Sequence, residues 1–359
     1  MTELPLHALH QAEGAAFAER NGREVLVTQG ASADAFWALK RTAALQDRTG
    51  RGLLKLTGPD REEFLHGQTT NDVEGLAVGH GNGAALLTAR GKMLGEVRVL
   101  KRAEDLLVET ELGFAGAVKQ ALERNCISEE VEFADLTADY GQLGLYGPEA
   151  HAILTAALDA PAPGVTEHEH QTIVLAGAEV IAIGAWGPGA PGYDLLVPVA
   201  ALEHVWKALR AAGQAKNLVV LGEEAYELAR VEAGLPRYGV DMTEETNPLE
   251  ANLERDISYK KGCYVGQEVI AKATFRGHVN KKLARLSFAA ELPAPGVELQ
   301  LDGRVVGKVT SAAQLPDGRK LGLGYVKRDL AKAGVALTVA GGGVAETLGL
   351  AQPVELQRP

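Results

Sequence analysis

An α+β fold finished by a small antiparallel β-barrel or sandwich is what this sequence predicts, and three observations carry the prediction. Strand-like runs alternate with segments of helical period through most of the chain. From Lys282 onward the pattern changes to short β-rich runs, LARLSF, VELQL, RVVGKVTSA, KLGLGYV and VALTV, joined by turns rich in Gly, Pro and Asp. The length, 359 residues, is more than one ordinary core holds, so two or three domains are expected.

The elements follow in order. The first stretch holds an apolar run from Glu24 to Thr28 and a short helical candidate around Phe36 and Trp37, before GRGLLKLTG enters a strand. Gly58, Pro59 and Asp60 break that strand and start a helix that presents Phe64 and Leu65 to the core and ends in GQTTNDV. Met93 to Leu100 and Leu106 to Thr110 flank a turn and predict a hairpin, and a helix follows from Ala115 to Arg124. Further strands are expected at Val131 to Leu136, Gln142 to Tyr146, Ile173 to Leu175 and Val180 to Ile183. Pro198 suits the first turn of a helix whose Val199, Leu202, Val205, Trp206 and Leu209 recur at helical spacing, with Gly213 as terminator. The expected units are residues 1–137, an N-terminal α+β domain, 138–279, a middle α+β domain, and 280–359, the β-rich tail; PAPG at 161–164 is the most linker-like stretch.

Composition excludes several classes. With 46% hydrophobic and 23% charged residues the chain is an ordinary globular one, and no apolar run approaches a membrane span. The start of the chain lacks a basic region followed by an apolar one, so a cytoplasmic location is expected. Cys126 and Cys263 are too few for a disulfide framework and form no CxxC pair, so neither a permanent cluster nor a metal site is expected. A net charge of −11 argues against bulk attraction to nucleic acid or membrane, yet residues 255–285 carry eight cations against Asp256 and Glu268.

Some motifs fail on inspection. Gly187, Gly189 and Gly192 match GxGxxG, but Pro188 and Pro191 remove amide donors that a pyrophosphate needs, so a turn between strands is expected. His168 and His170 lack further ligands at metal spacing and are expected in a solvated loop. His66 has the placing of a helix C-terminal cation. The informative string is KKGCYVGQEVIAK, residues 260–272, in which a rare cysteine stands between glycines and after two lysines. Positive neighbours favour thiolate, so Cys263, if exposed, is expected to act as nucleophile or soft ligand; if buried, it is a small apolar residue. No histidine stands close to it in sequence as a base, and only the fold would bring one such as His278 or His66 to it.

KGCYVGQE resembles the signature of YgfZ-type proteins, which share the fold of the glycine-cleavage T-protein and include iron-sulfur assembly factors. RVEAGLPRYGVDMTEETNPLEANL at 230–253, GPDREEFLHGQTTNDV at 58–73 and ARGKMLGEVRV at 89–99 resemble the same superfamily, and the likeness spans about residues 45–350. The resemblance implies a three-domain α+β ring around a central folate cleft with a C-terminal antiparallel β-barrel. It implies tetrahydrofolate or a one-carbon-substituted folate as cofactor, iron-sulfur client or assembly proteins as partners, only indirect contact with nucleic acid, no membrane, and a monomer.

By the same resemblance Cys263 is the functional thiol, with Lys260 and Lys261 as its electrostatic neighbours, and Asn71, Asp194, Arg230, Tyr264 and Gln267 are the cofactor-binding candidates. A pterin needs paired hydrogen bonds from a carboxylate, here Asp194, while the glutamate tail needs cations. Each has a plainer role available: Asp194 as a turn residue, Arg230 as partner of Glu227 or Glu232, Asn71 as a helix-ending cap. T-protein carries two aspartates where this chain has Gly95 and Glu96. Moving the acid by about one methylene is expected to impair aminomethyl transfer, since errors of ~1 Å cost ~100-fold in rate. The expected function is therefore accessory to iron-sulfur assembly or repair, including enzymes that thiolate tRNA, with a folate-dependent aminomethyl or other one-carbon transferase using Glu96 as the alternative.

Overall fold

The computed structural model describes residues 2–164 and 166–351. Helix His7–Ala12 opens the chain, followed by a hairpin of Ala16–Arg20 and Arg23–Thr28. Two larger sheets follow. The first is five-stranded and antiparallel, in the order His80–Leu87, Met93–Lys101, Leu106–Thr110, Gly52–Thr57, Glu132–Asp135. The second is six-stranded, in the order His170–Leu175, Ala178–Trp186, Pro191–Pro198, Tyr140–Tyr146, Ala44–Asp47, Val219–Val220, with the last pair parallel. It thus draws Ala44–Asp47 from the segment preceding residue 137.

Alternation along the strands sets the layers. Leu54, Leu56, Val97 and Val99 face helices Arg61–Gln68 and Ala115–Asn125, which contribute Phe64, Leu65, Val118 and Leu122 to one core. Leu53, Leu100 and Leu107 point the other way and meet Ile181, Ile183 and Leu196 of the second sheet, so the two sheets pack face to face. The second sheet's far side is covered by helices Ala150–Ala157 and Leu202–Gly213, with Val205, Trp206 and Leu209 buried among Leu143, Leu145 and Tyr193. The expected Pro198 helix begins with a 3-10 turn over Val199–Ala201. The GxGxxG match is a turn between Ala178–Trp186 and Pro191–Pro198, as expected.

The tail closes into a six-stranded antiparallel barrel, Lys281–Phe288, Lys320–Lys327, Arg304–Gln314, Glu298–Leu301, Val335–Val339 and Val344–Leu350. Its interior is filled by Leu286, Val309, Val326, Leu337 and Ala345. Barrel residues Ala313, Leu315 and Leu321 pack with helices Ser32–Arg41 and Glu223–Ala233, which fastens the barrel to the rest of the chain. Among the described residues no helix is long and apolar enough to cross a membrane, and no group of three or more His, Cys, Asp or Glu side chains is placed to hold a metal ion.

Candidate functional site

A cleft enclosing about 190 Å³ opens where the two sheets meet the segments around residues 168, 236 and 256. Its chemistry is written by strand alternation. Glu96 and Arg98 share the face of Met93–Lys101 opposite to Val97 and Val99, and both line the cleft. Arg98 stands directly across from Glu109 on the neighbouring strand, and the two form an ion pair. Asp194 arrives from the second sheet, in register with Ile183 and Gly144.

Asp194 is 3% exposed, and both of its oxygens are taken. Arg98 reaches Oδ2 at 2.7 Å, while Arg48 and the Tyr146 hydroxyl donate to Oδ1. Burial alone would raise this carboxyl, but Arg48 and Arg98 hold it well below the usual carboxylate range. Tyr146 lies across the sheet because Gly144 and Gly187 leave room for it; a Cβ at either would stand 2.4 Å from its ring atoms. Along the cleft wall a second set of pairs continues. Glu111 binds Arg51 at 2.6 Å and Arg20 at 3.0 Å, and Arg237 joins Glu111, Glu223 and Glu227.

Four groups in the cleft are differently placed. Glu96 has no ion-pair partner among the described residues, and burial with the nearby charge of Asp256 pushes its carboxyl up to about 8. Burial pushes Asp256 up to about 6, against the pull of Arg255. Two carboxyls raised in one cleft, each held ready to give or keep a proton near neutrality, make it the candidate site. The other two are the Nε of Arg51 and the Nδ1 of His168, buried atoms with no hydrogen-bond partner.

His168 is a correction to the expected solvated loop. Its backbone sits at φ 66°, a strained region for a residue other than glycine, and the ring turns into the cleft. Burial, then Arg98 and Arg255, lower its pKa to about 3, so the ring is neutral. His168 is half-buried, and His170, at the start of a strand, is buried. Sequence reasoning also missed Arg48, Arg51, Arg98 and Asp256. The one signal for them was the i, i+2 spacing of charges in Glu96, Arg98 and in Glu109, Glu111 on paired strands.

Of the residues expected to form the site, the structure brings Glu96 and Asp194 together in the cleft and places the others elsewhere. Asn71 lies just behind the wall, its Nδ2 donating to the carbonyl of Gly83 at 2.8 Å, and Gly83 lines the cleft. Arg230 is 1% exposed and does not line the cleft. Its guanidinium is consumed by Glu227 at 2.6 Å, Asp241 at 2.7 Å and Ser311 of the barrel at 2.8 Å, a cross-link between helix Glu223–Ala233 and the barrel.

Lys261, Cys263 and Tyr264 belong to a loop against the end of helix Arg61–Gln68, and Gln267 follows that loop; all four lie outside the cleft lining. The Lys261 ammonium, expected as an electrostatic neighbour of the thiol, instead donates to the carbonyls of His66, Thr69 (2.7 Å) and Asn71 (3.0 Å) and closes the helix C-terminus. Burial lowers it to about 8, opposed by Asp72 and Glu74. Tyr264 packs with the apolar cluster of Leu87, Met242 and Ile270. Gln267 begins helix Gln267–Phe275 and accepts the Tyr264 N–H at 3.3 Å. Cys263 is exposed, with Gly262 before it set against His66.

Residues 6–261 match the family described as GCVT N-terminal domain. The chain belongs to that family. Residues 280–359 match the CAF17 C-terminal beta-barrel domain, so a GCVT domain is joined here to a CAF17-type barrel. An aminomethyltransferase of Saccharopolyspora erythraea is 28% identical over 99% of this chain and 96% of its own. A putative chloroplastic transferase of Arabidopsis thaliana is 29% identical over 85% of this chain and 70% of its own. The glycine cleavage system aminomethyltransferase T of Bartonella henselae shares the GCVT fold with a TM-score of 0.88 at 22% identity, over 97% of this chain and 96% of that one.

Proposed function

We propose that the chain is a folate-binding accessory protein for iron-sulfur assembly or repair, including that of tRNA-thiolating enzymes, with Cys263 as its working thiol. The observation that carries this reading is the union of a GCVT domain with a CAF17-type barrel, in a chain whose signature cysteine is exposed. The type is that of YgfZ proteins, and the cofactor is tetrahydrofolate or a one-carbon-substituted form.

The cleft suits the flat end of such a ligand. At about 190 Å³ it is smaller than the ~300–1,000 Å³ of sites that swallow a drug-sized molecule, so a bicyclic ring enters and the tail runs out past Arg255 and Arg237. Glu96 and Asp256, with the free Arg51 Nε and His168 Nδ1, supply acceptors and donors for a heterocycle edge. Asp194, the expected pterin carboxylate, lines the cleft with both oxygens on Arg48, Arg98 and Tyr146, and in this reading its part is to fix those cations. Bound folate supplies a carrier for a one-carbon unit; the chain's part is to orient its ring, exclude water and keep a proton on Glu96 at neutral pH. The thiol acts at the surface, where a client protein reaches it without entering the cleft.

A second reading, a folate-dependent aminomethyltransferase, is favoured by Glu96 itself, an acid holding its proton inside the cleft, and by the names of the relatives. Calorimetric titration with tetrahydrofolate tests the cofactor. Wild type is expected to bind, and Glu96→Gln with Asp256→Asn to weaken binding at least ~10-fold, through loss of the carboxyl proton donor at Glu96 and of the charged acceptor at Asp256. A flat titration of wild type removes folate from the proposal. In cells deprived of this protein, wild type restores cluster-dependent enzymes and Cys263→Ala does not; equal rescue by both sinks the thiol's role. Glycine-cleavage turnover by the pure protein, abolished by Glu96→Gln, decides for the second reading.

A further inference from the structure

A second cavity, about 430 Å³ and open to solvent, lies on the outer wall of the barrel and shares no lining residue with the cleft. Three strands build it. Val309 and Val326 point into the barrel core, so their neighbours Lys308, Tyr325 and Lys327 point outward. Lys281, on the third strand, faces Lys327 in register, and Lys308 faces Tyr325. The Tyr325 ring, 5% exposed, forms the floor, with the Lys281 Nζ 4.8 Å from its centroid.

The charges here are not balanced. Like charges directly across a strand pair repel, and Lys281 and Lys327 occupy that position. The acid in the groove is Glu250, 3.7 Å from Lys281, and it already accepts the N–H of Asn247 at 3.2 Å. Lys308 and Lys327 form no ion pair among the described residues, on a chain whose overall charge is −11. A concave site lined by three cations and an aromatic floor, on an otherwise acidic protein, concentrates anions.

We propose that this groove binds a small organic anion with at least two negative charges, seated between Lys281, Lys308 and Lys327 with its apolar part against Tyr325 and Val306. Phosphate esters and glutamyl chains share that chemistry, and the proposal stands apart from any folate in the cleft.

The test is calorimetry on the full chain at fixed ionic strength, with inorganic pyrophosphate in one arm and γ-glutamylglutamate in the other. Saturable binding below about 1 mM is expected in at least one arm, which assigns the source, and Lys281→Gln, Lys308→Gln and Lys327→Gln together weaken it at least ~10-fold. Because the three lysines lie on the barrel's outer wall, the variant is expected to melt as wild type does. Carbon-13 spectra of the reductively methylated protein give a second readout, in which these three lysines shift on titration. No saturable binding in either arm, or affinity unchanged in the triple variant, overturns the proposal.

Discussion

The cleft and the KGCYVGQE loop differ in how they hold their reactive groups. In the cleft Asp194 and Glu109, both nearly fully buried, each have two side-chain partners or more, carried on strands of two packed sheets. In the loop the one strong interaction, that of Lys261, is spent on a helix end, and the thiol faces solvent. Strands fix side chains more tightly than loops do, so the cleft is preorganised for a rigid ligand and the loop for an approaching partner. The two meet through the segment after helix Arg61–Gln68. Asn71 holds Gly83 on one side and Lys261 on the other, and Thr70 Oγ1 donates to Asp256 O at 2.7 Å.

The largest effect that would sharpen this contrast is expected from Asp194→Ala. It strands Arg48 without a counter-ion in a buried place and leaves Arg98 with Glu109 alone, which costs about 3–5 kcal/mol. Urea denaturation measures that loss, and titration shows tetrahydrofolate binding gone with it. Because the folded Asp194 carboxyl lies below its unfolded value of 3.8, its contribution is present at neutral pH and is lost as pH falls below about 4. Arg230→Ala comes next, at about 3 kcal/mol, since Asp241 loses its cation in the interior. Folate affinity is expected to hold within about twofold, because uniform stability losses leave a formed site intact. A tenfold loss of affinity would return Arg230 to the binding site and blur the comparison.

The layout of the fold was legible because apolar alternation and turn residues are local. Phe64, Leu65, Trp206 and Leu209 sit in cores as their spacing requires. The cleft was legible only where family likeness pointed, at Glu96 and Asp194. Arg98 and Glu109 alternate with valines and leucines, a pattern that ordinarily marks a solvated sheet face; here a second sheet covers it, and that pairing joins residues far apart in sequence. His168 was hidden for the same reason, since Arg98 and Arg255, which line the cleft with it and help lower its pKa, lie far from it in sequence. Arg230 looked like a ligand residue because nothing local announces that the barrel's Ser311 closes over it.

A smaller effect is expected from Glu96→Gln, and its sign is definite. The folded carboxyl titrates at about 8 against 4.5 unfolded, so between those values the unfolded chain has released a proton that the folded one keeps. Wild-type stability therefore declines as pH rises from about 4.5 to about 8, and the amide, which has no charge to bury, escapes the decline. Thermal melts should show the variant equal to wild type at pH 4 and more stable at pH 8.5 by about 2 kcal/mol, the shift being discounted for solvent in the cleft. A constant difference at both values would mean that Glu96 does not hold its proton, and the cleft would lose its acid.

The smallest effect on the isolated protein is expected from Cys263→Ala, and that smallness is what the comparison demands. An exposed thiol with no packing to lose changes stability by less than about 0.5 kcal/mol, and tetrahydrofolate affinity should not move, since the sulfur lies outside the cleft lining. Alkylation by iodoacetamide should be complete within minutes at Cys263 in the native protein. Cys126, half-buried and raised in pKa by burial and then by Glu129, should react more slowly, as mass spectrometry of the two peptides would show. Should modification of Cys263 instead weaken folate binding severalfold, the path through Lys261 and Asn71 would join the two regions into one site, and the thiol would be reporting on what the cleft holds.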